Sequence, residues 1–257
     1  MKVLFCSDLH LGLVVGGYDM RDDTIKVLKK IQAAVNQLDV ELVIVGGDVF
    51  HTSHPSPQAY ADAFAFLAGI PCPVVVFRGN HDETNGLSVD ALEPLRHAEW
   101  GTQFDGEEPA PLFKAYDTGE LWASPVIVLD GPGILKYGVY KFLIAPYMAN
   151  ARAVAQGHES AQSAIAAAFK QARAEPVKAA FCHLDVDGAQ AGSEGSFLRG
   201  GELQIPKRGA ALLTCPVVNG HLHRRQHIRE NIYMPGSVVP TDFGDADGQK
   251  GYAILEV

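Results

Sequence analysis

Val3-Leu4-Phe5-Cys6-Ser7-Asp8-Leu9-His10 decides how this chain is read: four apolar residues run straight into a polar turn carrying a carboxylate and an imidazole two residues apart. The pattern recurs. Largely apolar runs at 41–45, 74–77, 179–182 and 212–218 lead to Gly46-Gly47-Asp48, Gly79-Asn80-His81-Asp82, His183 and Gly220-His221-Leu222-His223. Runs this short, closed by glycine- or histidine-bearing turns, read as buried strands. Helix-like stretches at 22–38, 57–67 and 151–174 lie between them, the last dominated by alanine, and that alternation predicts an α/β fold. From 100 to 147 the chain changes character, with β-type runs at 125–129 and 141–145 between Gly and Pro turns, and 232–257 ends in the same manner. These runs predict a second sheet packed against the first. No internal repeat, low-complexity segment or linker divides the 257 residues, so a single domain over 1–257 is expected.

With 47% hydrophobic residues the chain can bury one substantial core, and its composition excludes disorder, collagen and coiled coil. No apolar run approaches the roughly 20 residues that cross a bilayer, and Asp8 and His10 interrupt the opening stretch too early for a secretory signal. A cytoplasmic protein without a membrane partner is expected. Cys6, Cys72, Cys182 and Cys215 are far apart with no Cys-x-x-Cys pair, which suits reduced packing residues. A formal net charge of -9 argues against holding nucleic acid on a broad basic surface. Any such contact must be local, and cations in a cleft could supply the charge.

Taken singly, an Asp-x-His, a Gly-Gly-Asp or a lone histidine near a strand is weak evidence, because each occurs in ordinary turns. Jointly, five strand ends deliver Asp, Asn or His, and the histidines concentrate there. On an extended chain, residues two apart point the same way, so Asp8 with His10 and His221 with His223 can each converge on one ion. Asp8, His10, Asp48, Asn80, His183, His221 and His223 are too many for one tetrahedral zinc and suit two divalent ions sharing a carboxylate. Asp48 is the natural bridge. Such a centre is net positive, favours a phosphate ester and activates water near neutral pH. Its oxygen and imidazole donors admit manganese, iron, zinc or cobalt.

These residues, in this order, resemble the calcineurin-like metallophosphoesterase family along the whole chain: Asp8-x-His10, Gly47-Asp48, Gly79-Asn80-His81-Asp82, His183 and Gly220-His221-x-His223. The resemblance implies an α/β fold of two packed mixed β-sheets flanked by helices, an αββα sandwich. It implies one ion on Asp8, His10, Asp48 and His223, and a second on Asp48, Asn80, His183 and His221. It also implies that His81 contacts the scissile phosphate and assists the leaving group.

Within the family, Gly47-Asp48-Val49-Phe50-His51-Thr52-Ser53-His54-Pro55-Ser56-Pro57 and Asp8-Leu9-His10-Leu11-Gly12 are similar to the SbcD-type branch of double-strand-break repair nucleases. The Asp-Arg-Gly element of phosphoprotein phosphatases is absent. The resemblance implies a manganese-dependent DNA nuclease in which His51 helps set the strand for attack, with an SbcC-like ATPase subunit and a homodimer as further partners. His183-Leu184-Asp185-Val186, the glycine-rich stretch to Gly201 and Pro235-Gly236-Ser237 share the likeness. Arg224, Arg225 and Arg229 are candidate contacts to a DNA backbone, whereas Asp185 and Asp187 are assigned no catalytic role and Lys26, Lys29 and Lys30 mark the wet side of a helix. Tyr60, Phe64, Phe66 and Leu67 are read as core before dimer surface. The chain ends at Val257, soon after its last predicted strand, so no separate DNA-capping domain is expected. That departure, with the acidic charge, favours the alternative of a small-substrate phosphodiesterase or phosphatase acting, for example, on cyclic nucleotides.

Overall fold

Successive apolar runs become strands, and the stretches between them become helices or turns. From the N-terminus these are β1 (Lys2–Cys6), β2 (Val14–Val15), β3 (Tyr18–Asp19), α1 (Arg21–Gln37), β4 (Leu42–Gly46), α2 (Pro57–Ala68), β5 (Val74–Phe77) and α3 (Glu93–Arg96). There follow β6 (Phe113–Ala115), β7 (Leu121–Trp122), β8 (Val126–Leu129), β9 (Gly133–Tyr137), β10 (Tyr140–Ala145), α4 (Asn150–Ala155) and α5 (Ala161–Ala174). The chain closes with β11 (Ala179–Cys182), β12 (Val217–Asn219), β13 (Gln226–Ile228), β14 (Ile232–Met234) and β15 (Ala253–Glu256). The structure is a computed structural model describing residues 1–84, 89–100, 113–115, 121–122, 125–190, 203–206, 213–228, 230–245 and 248–257. The glycine-rich stretch 191–201 and Arg229 lie outside them.

Two mixed sheets form. The first has the order β15-β1-β4-β5-β8, parallel except for β15. The second has the order β13-β14-β12-β11-β10-β9-β6-β7, with β14, β12, β11 and β10 parallel at its centre. Alternate residues of each central strand face opposite ways, and both faces are covered. Val3, Phe5, Leu42, Ile44, Val75 and Phe77 of the first sheet meet Phe142, Ile144, Ala179 and Phe181 of the second. Phe5 stacks on Phe181 with ring centroids 5.7 Å apart. The intervening residues Leu4, Cys6, Val43, Val45, Val74 and Val76 pack under α1 and α2. On the far side, Leu143, Ala145, Ala180 and Cys182 pack under α4 and α5. The result is the expected αββα sandwich.

Helix ends follow local chemistry. Ser56 caps α2 by accepting from Ala59 N at 3.1 Å, ahead of Pro57 in the first turn. The single helix read over 151–174 is in fact two, because Gly157 takes a left-handed φ of 86° and Ser160 opens α5 with a capping box to Ser163. Phe66 and Leu67 are buried, and Tyr60 and Phe64 pack beside them against Phe50 and Trp100, as the core reading anticipates. Among the described residues no helix is long and apolar enough to cross a membrane.

Candidate metal centre

Carboxyl ends of parallel strands are where open α/β sheets place their sites, and here both sheets contribute. β1 leads to Asp8 and His10, β4 to Asp48, β5 to Asn80 and His81, β11 to His183, and β12 to His221 and His223. Adjacent turns are sewn together by backbone bonds: Asp8 N donates to Gly47 O, His10 N to Asp48 O and Leu11 N to Val49 O, each at 3.0 Å. Asp82, buried, accepts from Phe50 N and Gly79 N at 3.0 Å and from Val49 N at 3.3 Å, tying the second turn to the third. Asn219 does the same for the second sheet, receiving Leu184 N at 3.1 Å and donating to Leu184 O at 2.8 Å.

The convergence of Asp8 with His10 does not come from an extended chain. Asp8, His10, Asp48 and His221 all adopt left-handed backbone, with φ of 55°, 45°, 49° and 77°. Only Asp39 joins them among the described non-glycine residues. Such conformations cost about 1–3 kcal/mol each and persist where the surroundings over-determine them. Gly47 shows why small residues precede the ligands. At φ 92° a Cβ there would lie 2.3 Å from His183 Nδ1.

Hydrogen bonds assign the donor atoms. His183 Nδ1 donates to Gly46 O at 2.8 Å, leaving Nε2 to face Asp48 Oδ2 at 3.4 Å and Asn80 Oδ1 at 3.2 Å. His221 Nδ1 also meets Asn80 Oδ1, at 2.9 Å. Asp48 Oδ1 is taken by His81 N at 2.8 Å, and Oδ2 stands between His183 Nε2 and His10 Nε2, the latter at 3.9 Å. His10 Nε2 and His223 Nε2 approach to 3.1 Å, with Asp8 Oδ1 3.9 Å from the latter. Asp8, His10 and His223 bring donor atoms within 4.8 Å of one another, as do Asp8, Asp48 and His183. Acceptor atoms converging in a buried place are a donor set that cations satisfy. The His and Asp clusters fit divalent metal ions.

The electrostatics of His10 and Asp48 agree with that donor set. Burial pushes the His10 imidazole well below its ordinary pKa, and His223, His81 and His51 push the same way against Asp48, so the ring is neutral. Burial alone would raise Asp48, but His183, His81 and His10 hold its carboxyl well below the usual range. Neutral imidazole and ionised carboxylate are the ligating forms.

Two residues to which the sequence reading gave no role complete the ligands' surroundings. Asp185 points Oδ1 at His221 Nε2 from 3.1 Å. Thr241 Oγ1 lies 2.6 Å from His223 Nδ1 and donates to Asp245 Oδ2 at 3.2 Å, so it accepts the ring N–H. Asp245 is in turn paired with Lys250. Metal-ligating histidines commonly hold their second nitrogen this way. Asp185 follows His183 by two residues, the spacing of the other pairs, but Thr241 meets His223 across 18 positions, where no spacing rule reaches.

His81 and His51 are both drawn in. His81 Nδ1 donates to His51 O at 2.7 Å, leaving its Nε2 free, and the two rings stack at 5.4 Å. His51 Nδ1 is 3.4 Å from His10 Nδ1. Arg224 and Arg225 are exposed on the strand side of His223. The Arg225 guanidinium sits 5.7 Å from the Tyr233 ring centroid and reaches Gln249, so it is turned toward its own sheet.

A two-sheet α/β sandwich with an Asp, Asn and His cluster at its strand ends is the build of a metal-dependent phosphoesterase. Residues 1–225 match the calcineurin-like phosphoesterase family, and the chain belongs to it. Members bind two metals. The chain is 27% identical over 272 residues to the SbcD subunit of the SbcCD nuclease from Bacillus subtilis, and 20% identical over 273 residues to its counterpart from Staphylococcus epidermidis. All of this chain aligns in both cases, spanning 66% of each relative's length. In fold it is similar to a dimetal phosphatase from Danio rerio, with a TM-score of 0.53 at 11% identity, covering 94% of this chain and 89% of that one.

Proposed function

We propose that the chain is a two-metal DNA nuclease of the SbcD type. The observation that carries this reading is alignment of the entire chain with SbcD nuclease subunits. The placement of His51 on the His81 ring, where strand setting is expected in that branch, adds support. Two divalent ions, with manganese preferred, would supply Lewis-acid activation of water and of the phosphate. Asp8, His10, Asp48 and His223 would hold one, and Asp48, Asn80, His183 and His221 the other. The chain's own residues do the rest. His81 N–H holds the Asp48 carboxylate in place by donating to Oδ1. His81 Nδ1 is committed to the His51 carbonyl, which leaves Nε2 to deliver a proton to the departing ester oxygen. His51 holds His81 through that carbonyl and walls the site with its ring. By the same relationship the chain would work with a partner ATPase.

A second reading, a small-substrate phosphodiesterase or phosphatase, is favoured by the net charge of -9. End-labelled single- and double-stranded oligonucleotides and an aryl phosphodiester, each with manganese and then with excess chelator, separate the two. Stepwise shortening of DNA that chelator and His81→Ala both abolish is expected. Turnover of the aryl ester alone, with DNA untouched, would replace the nuclease by the second reading.

A further inference from the structure

Phe243 is 81% exposed although it is a large aromatic residue in a well-tethered turn. It opens the 3₁₀ turn Phe243–Asp245. That turn is pinned by Asp245 N on Asp242 Oδ1 at 3.0 Å, by Thr241 N on Asp245 Oδ2 at 3.1 Å and by the buried Asp245–Lys250 pair. The edge of its ring rests against Gly16, where a Cβ would come within 2.9 Å of Cε2. Gly16 and Gly17, at φ 57° and 86°, turn the β2–β3 hairpin that follows His10. Thr241, two residues before Phe243, holds His223, and two residues of chain span at most ~7 Å. The segment leaving His10 and the Thr241–Phe243 segment tied to His223, whose Nε2 lies 3.1 Å from that of His10, meet at Gly16 and Phe243. Val14 and Tyr18 of the hairpin are also more than half exposed, at 55% and 58%, and Arg224 is exposed directly after His223.

A fixed aromatic face on the segment that holds His223 is a surface on which the bases of single-stranded nucleic acid stack. A net charge of -9 leaves no broad basic surface to hold phosphates, so base stacking adds affinity beside the metal centre. We infer that Phe243 is the stacking platform for an unpaired base of the strand whose phosphate enters the metal centre, an inference that rests on the nuclease reading. The ring carries no hydrogen-bonding group, so it takes any base without reading sequence.

The test compares initial rates of the manganese-loaded full chain on a short single-stranded oligonucleotide with those on the same strand carrying abasic positions near the cleaved end. Wild type, Phe243→Ala and Phe243→Trp are run in parallel, with bound metal counted in each. For Phe243→Ala we expect KM on the intact strand to rise about tenfold, with the loss absent in Phe243→Trp. Abasic positions should raise the wild-type KM similarly and leave Phe243→Ala with no further loss. If wild type cleaves and Phe243→Ala discriminates intact from abasic strands as wild type does, the platform is overturned and the nuclease reading survives. If wild type hydrolyses an aryl phosphodiester but no strand, both fall together.

Discussion

Asp185 Oδ1 lies 3.1 Å from Nε2 of His221, while Nδ1 of the same ring faces Asn80 Oδ1 at 2.9 Å. One carboxylate thus fixes the tautomer and the angle of a ring whose other nitrogen faces the metal centre. Removing such a partner typically costs 10–100-fold in metal affinity. Calorimetric titration of metal-stripped Asp185→Ala with manganese should show one of two sites weakened by about that factor, and Asp185→Asn, which keeps an acceptor, should fall between it and wild type. An isotherm identical to wild type would strip Asp185 of this role.

Thr241→Val tests the other side of the centre with almost no change in volume. The hydroxyl accepts from His223 Nδ1 at 2.6 Å and passes a hydrogen bond to Asp245. Without it, the His223 ring loses its hydrogen bond to Thr241, worth about 1–3 kcal/mol in a buried place. The expected result is a tenfold or larger weakening of the site that contains His10 and His223, with the site containing His221 unaffected. Equal weakening of both sites would mean that the substitution disturbs the loop and not the ring.

How much of this was legible beforehand follows from distance along the chain. Strand runs and the turns after them are local patterns, so the sandwich and the convergence of Asp8, Asp48, Asn80, His183, His221 and His223 could be read directly. Partners chosen by tertiary approach could not. Thr241 resembles any loop threonine until β14 and β15 bring its segment against His223, and Asp185 resembles a solvated acid until its turn closes. The helix read across 151–174 failed for a different reason: alanine-rich propensity on both sides outweighed the lone Gly157.

Gly47→Ala separates backbone strain from crowding if it is paired with Gly17→Ala. Both positions have left-handed φ, 92° and 86°, but a Cβ at Gly17 meets nothing within 4 Å, whereas at Gly47 it meets His183 Nδ1 at 2.3 Å. Gly17→Ala should therefore lose about 1–2 kcal/mol in urea unfolding. Gly47→Ala should lose more and should also fail to bind the full complement of metal, because His183 must move. If the two variants unfold alike and bind metal alike, the close approach is immaterial.

Behind the third turn, Arg78 is fully buried, with Nη1 2.6 Å from both Asp90 Oδ2 and Asp130 Oδ1 and Nη2 donating to Asp130 O at 2.7 Å. Arg152 reaches Glu83 at 2.9 Å, and Arg96 reaches Asp130 at 3.0 Å. These pairs lock the residues flanking Asn80 and His81 to β8 and α4. Arg78→Met leaves buried Asp90 without its closest cation, and breaking a buried pair in this way costs about 3–5 kcal/mol. Urea unfolding of the metal-free protein should register that loss, and a stability unchanged from wild type would contradict the arrangement. Asp130 adds a pH signature. Burial raises its pKa, but Arg78, Arg96 and Arg152 outweigh that and hold the carboxyl below its ordinary value. A depressed folded-state pKa means that the stabilisation is fully present above the unfolded value, near ~3.9, and is lost as pH falls through the folded one. The Asp130 side chain is 46% exposed, so solvent screening keeps the effect small. Between wild type and Asp130→Asn, the stability difference should be constant from neutral pH down to about pH 5 and should shrink below pH 4. A gap that widens on acidification would reverse the sign and remove Asp130 from the clamp.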